Sequence, residues 1–370
     1  MKKILIFSLA YYPRASGAEI AIKEITDRVS DVEWHMVTLR FGREPLRERI
    51  GSVEVHRVGF GGSYLSKVLF MPLAALKARA LHRREKFDAL WAMMSYMAVP
   101  LVLANLRLPY VLTLQEGDTE EYMFKRLRAR LLLPLINYGF RHARVVQAIS
   151  NYLAQWAARR GYRGPLEVVP NGVDTRHFSA ATDHFEIRKA LDIRENETVL
   201  VTSSRLVPKN AVDVVLRALP ALPGAHFLIL GVGPEEQALK ALARELAVEA
   251  RVYFVGHVSH VQLPAYLQAA TVFVRPSRSE GMGNSFIEAM AAGLPVIATQ
   301  EGGLKDFISS ETAWPVRKDN PEDIAAAVRD ILGNREHTKK VVERAQKLVF
   351  EKYDWDLIVK QMRTRVFSQV

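Results

Sequence analysis

The 370 residues, 49% of them hydrophobic, are enough for two domains of ordinary size and exclude a disordered or fibrous chain. Cysteine is absent, which excludes disulfides, thiolate nucleophiles and cysteine-held zinc or iron–sulfur sites and fits a reducing, cytoplasmic compartment. The net charge of +11 is uneven: residues 1–179 carry 27 Lys and Arg against 16 Asp and Glu, and residues 180–370 carry 24 of each, so the surplus points to an anionic partner of the first half.

In chain order, Met1–Ala18 has the two lysines, apolar stretch and small residues of a short signal peptide. The same residues read as a buried strand, Lys3–Leu9, and a turn at Gly17 that opens a doubly wound domain, which is the reading adopted. Further strands are expected at Trp34–Leu39, Val53–Val58, Ala89–Ala92, Tyr110–Leu114 and Val145–Ile149. After a break at Pro170, Asn171 and Gly172 come Val199–Ser203, His226–Gly231, Val252–Val255, Val272–Val274 and Pro295–Ala298. Helical periodicity fits Ala18–Val29, Pro234–Leu246, Gln262–Ala269 and Ser285–Ala292. The alternation predicts two parallel-sheet α/β domains that face each other, with the join near residue 175. No apolar run approaches the ~20 residues that span a bilayer.

Ligands of such sheets sit beyond the strands' carboxyl ends, beside helix N-termini. There Ser279–Ile297 places Glu280 at a loop end, Gly281, Met282 and Gly283 in the loop, Asn284 and Ser285 at a helix start, and Glu288 one turn in. Free amides of Gly283, Asn284 and Ser285 suit a phosphate. Glu280 and Glu288 would repel one, so they are expected to accept hydrogen bonds from neutral hydroxyls such as those of ribose or hexose. A nucleotide-activated sugar satisfies all these groups. The loop Ser203–Asn210 follows a strand and offers Arg205 and Lys209 as two cations over a leaving diphosphate, in the place of a magnesium ion.

Tyr11–Glu19, with Gly17, reads as a third phosphate-facing helix start or as a plain turn. Gly231–Glu236 lacks the third glycine of a dinucleotide fingerprint and reads as structural. His257 and His260, and the Asp354-Trp355-Asp356 triplet, lack the spacing or setting of metal ligands, so no metal is expected. Lys67–Arg84 and Met123–Arg144 interleave Lys and Arg with Leu, Phe and Met, as a helix on an anionic membrane does and as a core helix with a basic outer face also does. No nucleic-acid signature is present, and no nucleic-acid partner is expected.

With these residues laid out, the sequence resembles the retaining glycosyltransferases of family 4. The resemblance is dense from Val168 to about residue 306 and thinner in Tyr11–Glu19 and Ala148–Ala157. It implies the α/β fold called GT-B, two facing Rossmann-like doubly wound domains with a cleft between them and a C-terminal helix, Tyr353–Met362, crossing back to the first domain. Residues 1–175, completed by 353–370, would then bind the acceptor, and 176–352 would bind a UDP- or GDP-linked sugar. The resemblance puts Glu280 on the donor sugar and Glu288 on the ribose. It puts Arg205 and Lys209 on the diphosphate, the Ser16–Gly17 turn opposite them, and the loop around Val258 on the base. Gly281, Met282, Gly283, Asn284 and Ser285 would line the donor. It also implies metal independence, with no cofactor beyond the nucleotide sugar.

Departures from the family pattern are Ser16 in place of a glycine, Asn210 where a lysine is usual, and Gln115 where a histidine is common. Glu116 or Asp118 is then expected to take the acceptor-side role. The function expected is hexosyl transfer to a glycan, lipid-linked or other anionic acceptor of envelope or exopolysaccharide assembly, by a cytoplasmic protein docked on the inner face of the membrane. An epimerase or phosphorylase of the same fold, or a non-catalytic nucleotide-sugar binder, are the alternatives.

Overall fold

The computed structural model describes residues 1–124 and 127–370, and all of their side chains except those of 127–129. The chain divides into two compact units, Met1–Gly172 with Trp355–Val370, and Val173–Asp354.

The first unit is built on eight strands: β1 (Lys2–Phe7), β2 (Val32–Leu39), β3 (Arg47–Ile50), β4 (Val53–Val58), β5 (Ala89–Met93), β6 (Tyr110–Leu114), β7 (Val145–Ala148) and β8 (Leu166–Val168). Their order across the sheet is β3-β4-β2-β1-β5-β6-β7-β8. The apolar run that imitates a signal peptide is the central strand β1. Ile4, Leu5, Ile6 and Phe7 are all buried, as a parallel strand covered on both faces requires. One pairing departs from the expected all-parallel sheet: β3 runs antiparallel to β4. Its sequence, Arg-Glu-Arg-Ile, has no apolar run to mark it, and charged side chains suit an edge strand because they discourage pairing with another chain.

Residues Trp355–Val370 return to close this unit's core. Trp355, Ile358, Val359, Met362, Val366 and Phe367 share one buried cluster with Trp34 and Trp91. The Phe367 ring lies edge-on to both indoles, at 5.4 and 5.1 Å between centroids. Arg365 to Glu167 (2.6 Å) and Arg363 to Asp31 (2.6 Å) add ion pairs at the rim.

The second unit has six parallel strands: β9 (Val199–Ser203), β10 (His226–Leu230), β11 (Val252–Gly256), β12 (Val272–Arg275), β13 (Val296–Ala298) and β14 (Trp314–Pro315). Their order is β11-β10-β9-β12-β13-β14. Because β9 pairs with β10 on one side and β12 on the other, the connections leaving β9 and β12 diverge, and a crevice opens between their loops. In the first unit the same reversal occurs at β1, between β2 and β5. Val173 donates to the Tyr353 carbonyl (2.7 Å) and Thr175 Oγ1 to Asp354 (2.5 Å), so Asp354 of the Asp-Trp-Asp triplet serves this unit's closure.

The returning segment predicts a large cost for its anchor. Trp355→Ala should destabilise the protein by about 3–5 kcal/mol in urea unfolding, as removal of a fully packed aromatic does. A loss below about 1 kcal/mol would show that the segment contributes little to the core.

Candidate functional site

The residues expected at the donor side meet at the switch between β9 and β12. The helix Asn284–Ala291 starts behind Gly283, whose φ of 83° few other residues tolerate. Gly283, at the N-cap, has no side chain to cap the helix, whose N-terminal end carries the positive end of the helix dipole. Glu280 is buried just before it. Its carbonyl accepts from the Gly303 amide (3.0 Å), and Gly302 approaches so closely that an added Cβ would lie 2.0 Å from that oxygen. The Glu280 loop is therefore fixed from both sides.

The sequence reading did not include Arg275, the last residue of β12. Its guanidinium is buried and pairs with Glu280 Oε2. It also donates to Ser285 Oγ (2.6 Å), Ser277 Oγ (3.0 Å) and the Ser203 carbonyl (3.3 Å), and stacks over Phe286. Glu280, expected to face only neutral hydroxyls, thus has one oxygen committed to an internal cation. Met282, expected to line the donor, has its side chain buried at 2% exposure and presents only backbone. An arginine ending the apolar run Val-Phe-Val, five residues before Glu280, is the sequence signal for this group.

The Ser203–Asn210 loop is held by backbone bonds to the Gly231–Glu236 turn: Ser204 N to Leu230 O (2.9 Å), Leu206 N to Val232 O (3.0 Å) and Glu235 N to Leu206 O (3.1 Å). Within it Asn210 Nδ2 donates to the Arg205 carbonyl (2.6 Å), so asparagine braces the loop where the family pattern has lysine. Arg205 is exposed and Lys209 half-buried. The Lys209 carbonyl accepts from Arg278 N (2.7 Å), which ties this loop to the one carrying Glu280. Arg278 in turn pairs with Asp213 (2.7 Å) and Asp319 (2.6 Å).

Glu288 is buried one turn into the helix and faces His260 Nε2 at 3.3 Å. The His260 carbonyl meets His177 Nε2 (3.1 Å), and its ring packs edge-on to Phe178. Val258, in the same loop, is half-buried. The His257–His260 pair is thus divided, with His260 serving the Glu288 carboxylate.

In the first unit Ser16 precedes the helix Gly17–Arg28, and its N and Oγ both donate to Glu19 Oε2 (2.8 and 2.6 Å). Glu116 follows β6 and is 2% exposed. Oε1 accepts from Ser95 N (2.6 Å), after β5, while Oε2 is buried without a hydrogen-bond partner. Burial pushes its pKa up from the ordinary carboxylate range, against the opposing bonds from Ser95. Gln115 beside it is also buried.

Among the described residues one group has the makings of a cation site, Glu33, His35 and Glu85. Lys3 Nζ already stands 3.1 Å from Glu33 and 3.2 Å from Glu85, so an ammonium supplies the charge there. Asp356 pairs with Arg28 (3.2 Å).

The helix Tyr64–Glu85 contains the first basic stretch. Phe70, Ala74, Ala78 and Leu81 are buried on one face. Leu65, Leu69, Leu73 and Leu76, spaced to fall on the opposite face, are exposed, Leu65 and Leu76 by about 60%. The outer face is therefore apolar as well as basic, with Lys67, Arg79, Arg83 and Arg84 exposed around it. In the second basic stretch, residues 125 and 126 and the side chains of 127–129 lie outside the described residues; Leu131 and Tyr138 are exposed. No described helix is long and apolar enough to cross a membrane.

The family patterns divide the chain at the same place as its fold. Glycosyl transferases group 1 matches residues 183–348, and Glycosyltransferase Family 4 matches residues 15–177. The chain belongs to glycosyltransferase family 4. Among family 4 relatives, a GDP-mannose-dependent alpha-(1-6)-phosphatidylinositol monomannoside mannosyltransferase of Mycobacterium tuberculosis is 33% identical over 232 residues, 59% of this chain and 60% of that protein. The match thus spans less than two thirds of that relative's length. A 2-deoxystreptamine N-acetyl-D-glucosaminyltransferase of Streptomyces fradiae is 28% identical over 94% of this chain and 90% of its own. The structure of sucrose-phosphate synthase from Thermosynechococcus elongatus superposes with a TM-score of 0.88 at 20% identity, covering 100% of this chain and 99% of that one, and identifies the fold as GT-B.

The buried Glu116 predicts a pH signature. Its folded state holds the proton more tightly than the unfolded chain does, so stability falls as pH rises from the ordinary carboxylate range towards the raised folded value. Glu116→Gln removes the ionisation, and urea unfolding from pH 4 to 8 should show the variant gaining on its parent as pH rises. Parallel pH profiles would show that Glu116 ionises without penalty.

Proposed function

We propose that the chain is a retaining, metal-independent hexosyltransferase that moves a sugar from a nucleoside diphosphate hexose, UDP- or GDP-linked, to a lipid-linked or other anionic glycan acceptor at a membrane surface. The observation that carries this is one junction: an uncapped helix start behind Gly283 and a basic loop, both leaving adjacent strands at the switch point, with Glu280 and Glu288 flanking them. The helix amides, Arg205 and Lys209 bind the diphosphate and stabilise its charge as the sugar leaves. Glu280 accepts from the sugar hydroxyls and Glu288 from the ribose, beside a base lying against the Val258 loop. Glu280 is paired with Arg275 through one oxygen and Glu288 faces His260 through one, so each keeps an oxygen to accept from a hydroxyl. The leaving phosphate oxygen takes the acceptor proton, and attack comes from the face of departure. In the first unit, Glu116 supports the acceptor.

The membrane part rests on the first unit. It carries 29 Lys and Arg against 16 Asp and Glu, where the second carries 22 against 24. The exposed leucines of the Tyr64–Glu85 helix, with exposed Arg83 and Arg84 toward its C-terminal end, match the chemistry of an anionic bilayer, apolar below and negative at its surface. The name of the mycobacterial relative also includes a phospholipid acceptor.

Thermal shift against a panel of nucleotide sugars should identify the donor through a raised midpoint. With that donor, Arg205→Ala and Glu280→Ala should each lower kcat/KM by about 10²–10³, or about 3–4 kcal/mol. Near-parental turnover would refute these roles, and donor conversion without any acceptor would replace transfer by epimerisation.

Vesicle sedimentation tests the surface. The chain should bind phosphatidylglycerol vesicles, more weakly at high salt, and Leu69→Asp with Leu76→Asp should abolish binding. Equal, salt-insensitive binding to phosphatidylcholine would sink the anionic-membrane assignment.

A further inference from the structure

Arg275 is the most heavily bonded buried ion of the second unit's switch point. One guanidinium joins the end of β9 through Ser203 O, the loop after β12 through Ser277 and Glu280, and the helix start through Ser285. Taking a guanidinium and a carboxylate out of water is costly, and a close-packed apolar pair would hold these elements together at least as well. What an apolar pair would lack is direction. Nη2 commits Glu280 Oε2, leaving the other carboxylate oxygen as the acceptor presented to a ligand. Nη1 donates to Ser285 Oγ, so the hydroxyl's own hydrogen is left to point elsewhere, as a donor.

We infer that Arg275 is a positioning residue for sugar selectivity: it makes Glu280 a one-oxygen reader of the donor hexose and turns the Ser285 hydroxyl into a hydrogen-bond donor for the diphosphate. The inference rests on the donor-site reading above and adds a residue that touches no substrate. Selectivity follows because a carboxylate free to rotate accepts from hydroxyls in several arrangements, whereas one pinned through Oε2 meets a single arrangement well. A hexose epimer that misplaces its hydroxyl leaves a buried acceptor unpaired, which discriminates far more strongly than a shape mismatch. Phe286, stacked on the guanidinium at 4.8 Å, blocks its rotation away from this arrangement.

The deciding variant is Arg275→Lys, which keeps the buried charge and removes the planar fork. Rates would be compared for glucose, galactose and mannose carried on the nucleotide the parent binds, with affinity for free UDP or GDP measured by calorimetry. In Arg275→Lys, kcat/KM for the preferred hexose should fall about 10–100-fold and the preference over the next epimer about tenfold, because the unpaired-acceptor penalty is lost. Nucleotide affinity should weaken a fewfold through Ser285, and Ser285→Ala should reproduce that weakening with epimer preference intact. In a Glu280→Gln background, Arg275→Lys should cause no further loss of preference, since the two act as one unit. Arg275→Met should exceed Arg275→Lys in every loss if it folds; the lysine variant decides if it does not. An Arg275→Lys protein that slows equally on all three hexoses, or keeps parental rates, overturns the inference while leaving the transferase reading in place. A parent that transfers no hexose overturns both.

Discussion

In the second unit the chain lays down β9 first, builds β10 and β11 on one side of it, and then returns to build β12, β13 and β14 on the other. Backbone pairing of β9 with both neighbours forces the loops at its end and at the end of β12 apart. Every other feature of the donor side depends on that separation. The basic loop leaves one strand and the Glu280 loop leaves the next, and the Arg278 amide on the Lys209 carbonyl keeps the two loops in register. The groups proposed to act stand a few residues past strand ends, and the sheet supplies their spacing.

Legibility in the sequence follows burial on both faces. β6 and β9 were read to the residue because Tyr-Val-Leu-Thr-Leu and Val-Leu-Val-Thr-Ser are unbroken β-prone runs covered by helices on either side. β3, β8 and β14 lie at or near sheet edges, where short length, charge or proline leaves little apolar signal. The placing of Glu280, Gly283, Asn284 and Glu288 around a helix start was legible because a glycine loop followed by an apolar helical run marks where a helix begins. Arg275 was not, since a single charge at the end of a strand says nothing of four partners brought from a strand end, a loop and a helix start. His260 on Glu288 and Ser95 on Glu116 were hidden for the same reason: each contact joins segments at least 21 residues apart.

Charge separates the two units more sharply than the two halves of the sequence. Assigning Trp355–Val370 to the first unit raises its surplus and leaves the second slightly acidic overall. Anion binding in the second unit, as proposed, would therefore rest on local geometry, because the unit as a whole does not attract anions at long range. The first unit is the opposite: its positive charge is in broad excess, and the leucines of the Tyr64–Glu85 helix are exposed.

The return of Trp355–Val370 also bears on how the protein comes into being. Trp34 and Trp91 stand in the first unit's core, yet the Phe367 ring that lies against both is encoded more than two hundred and seventy residues later. During synthesis the whole of Val173–Asp354 must emerge before that side of the core is covered. The second unit, continuous in sequence, is free to fold as soon as it is made, whereas the first waits with two indoles short of a neighbour. A chain interrupted just before residue 355 would carry a complete second unit and a first unit with its core uncovered, and that apolar surface would mark it for chaperones and proteases.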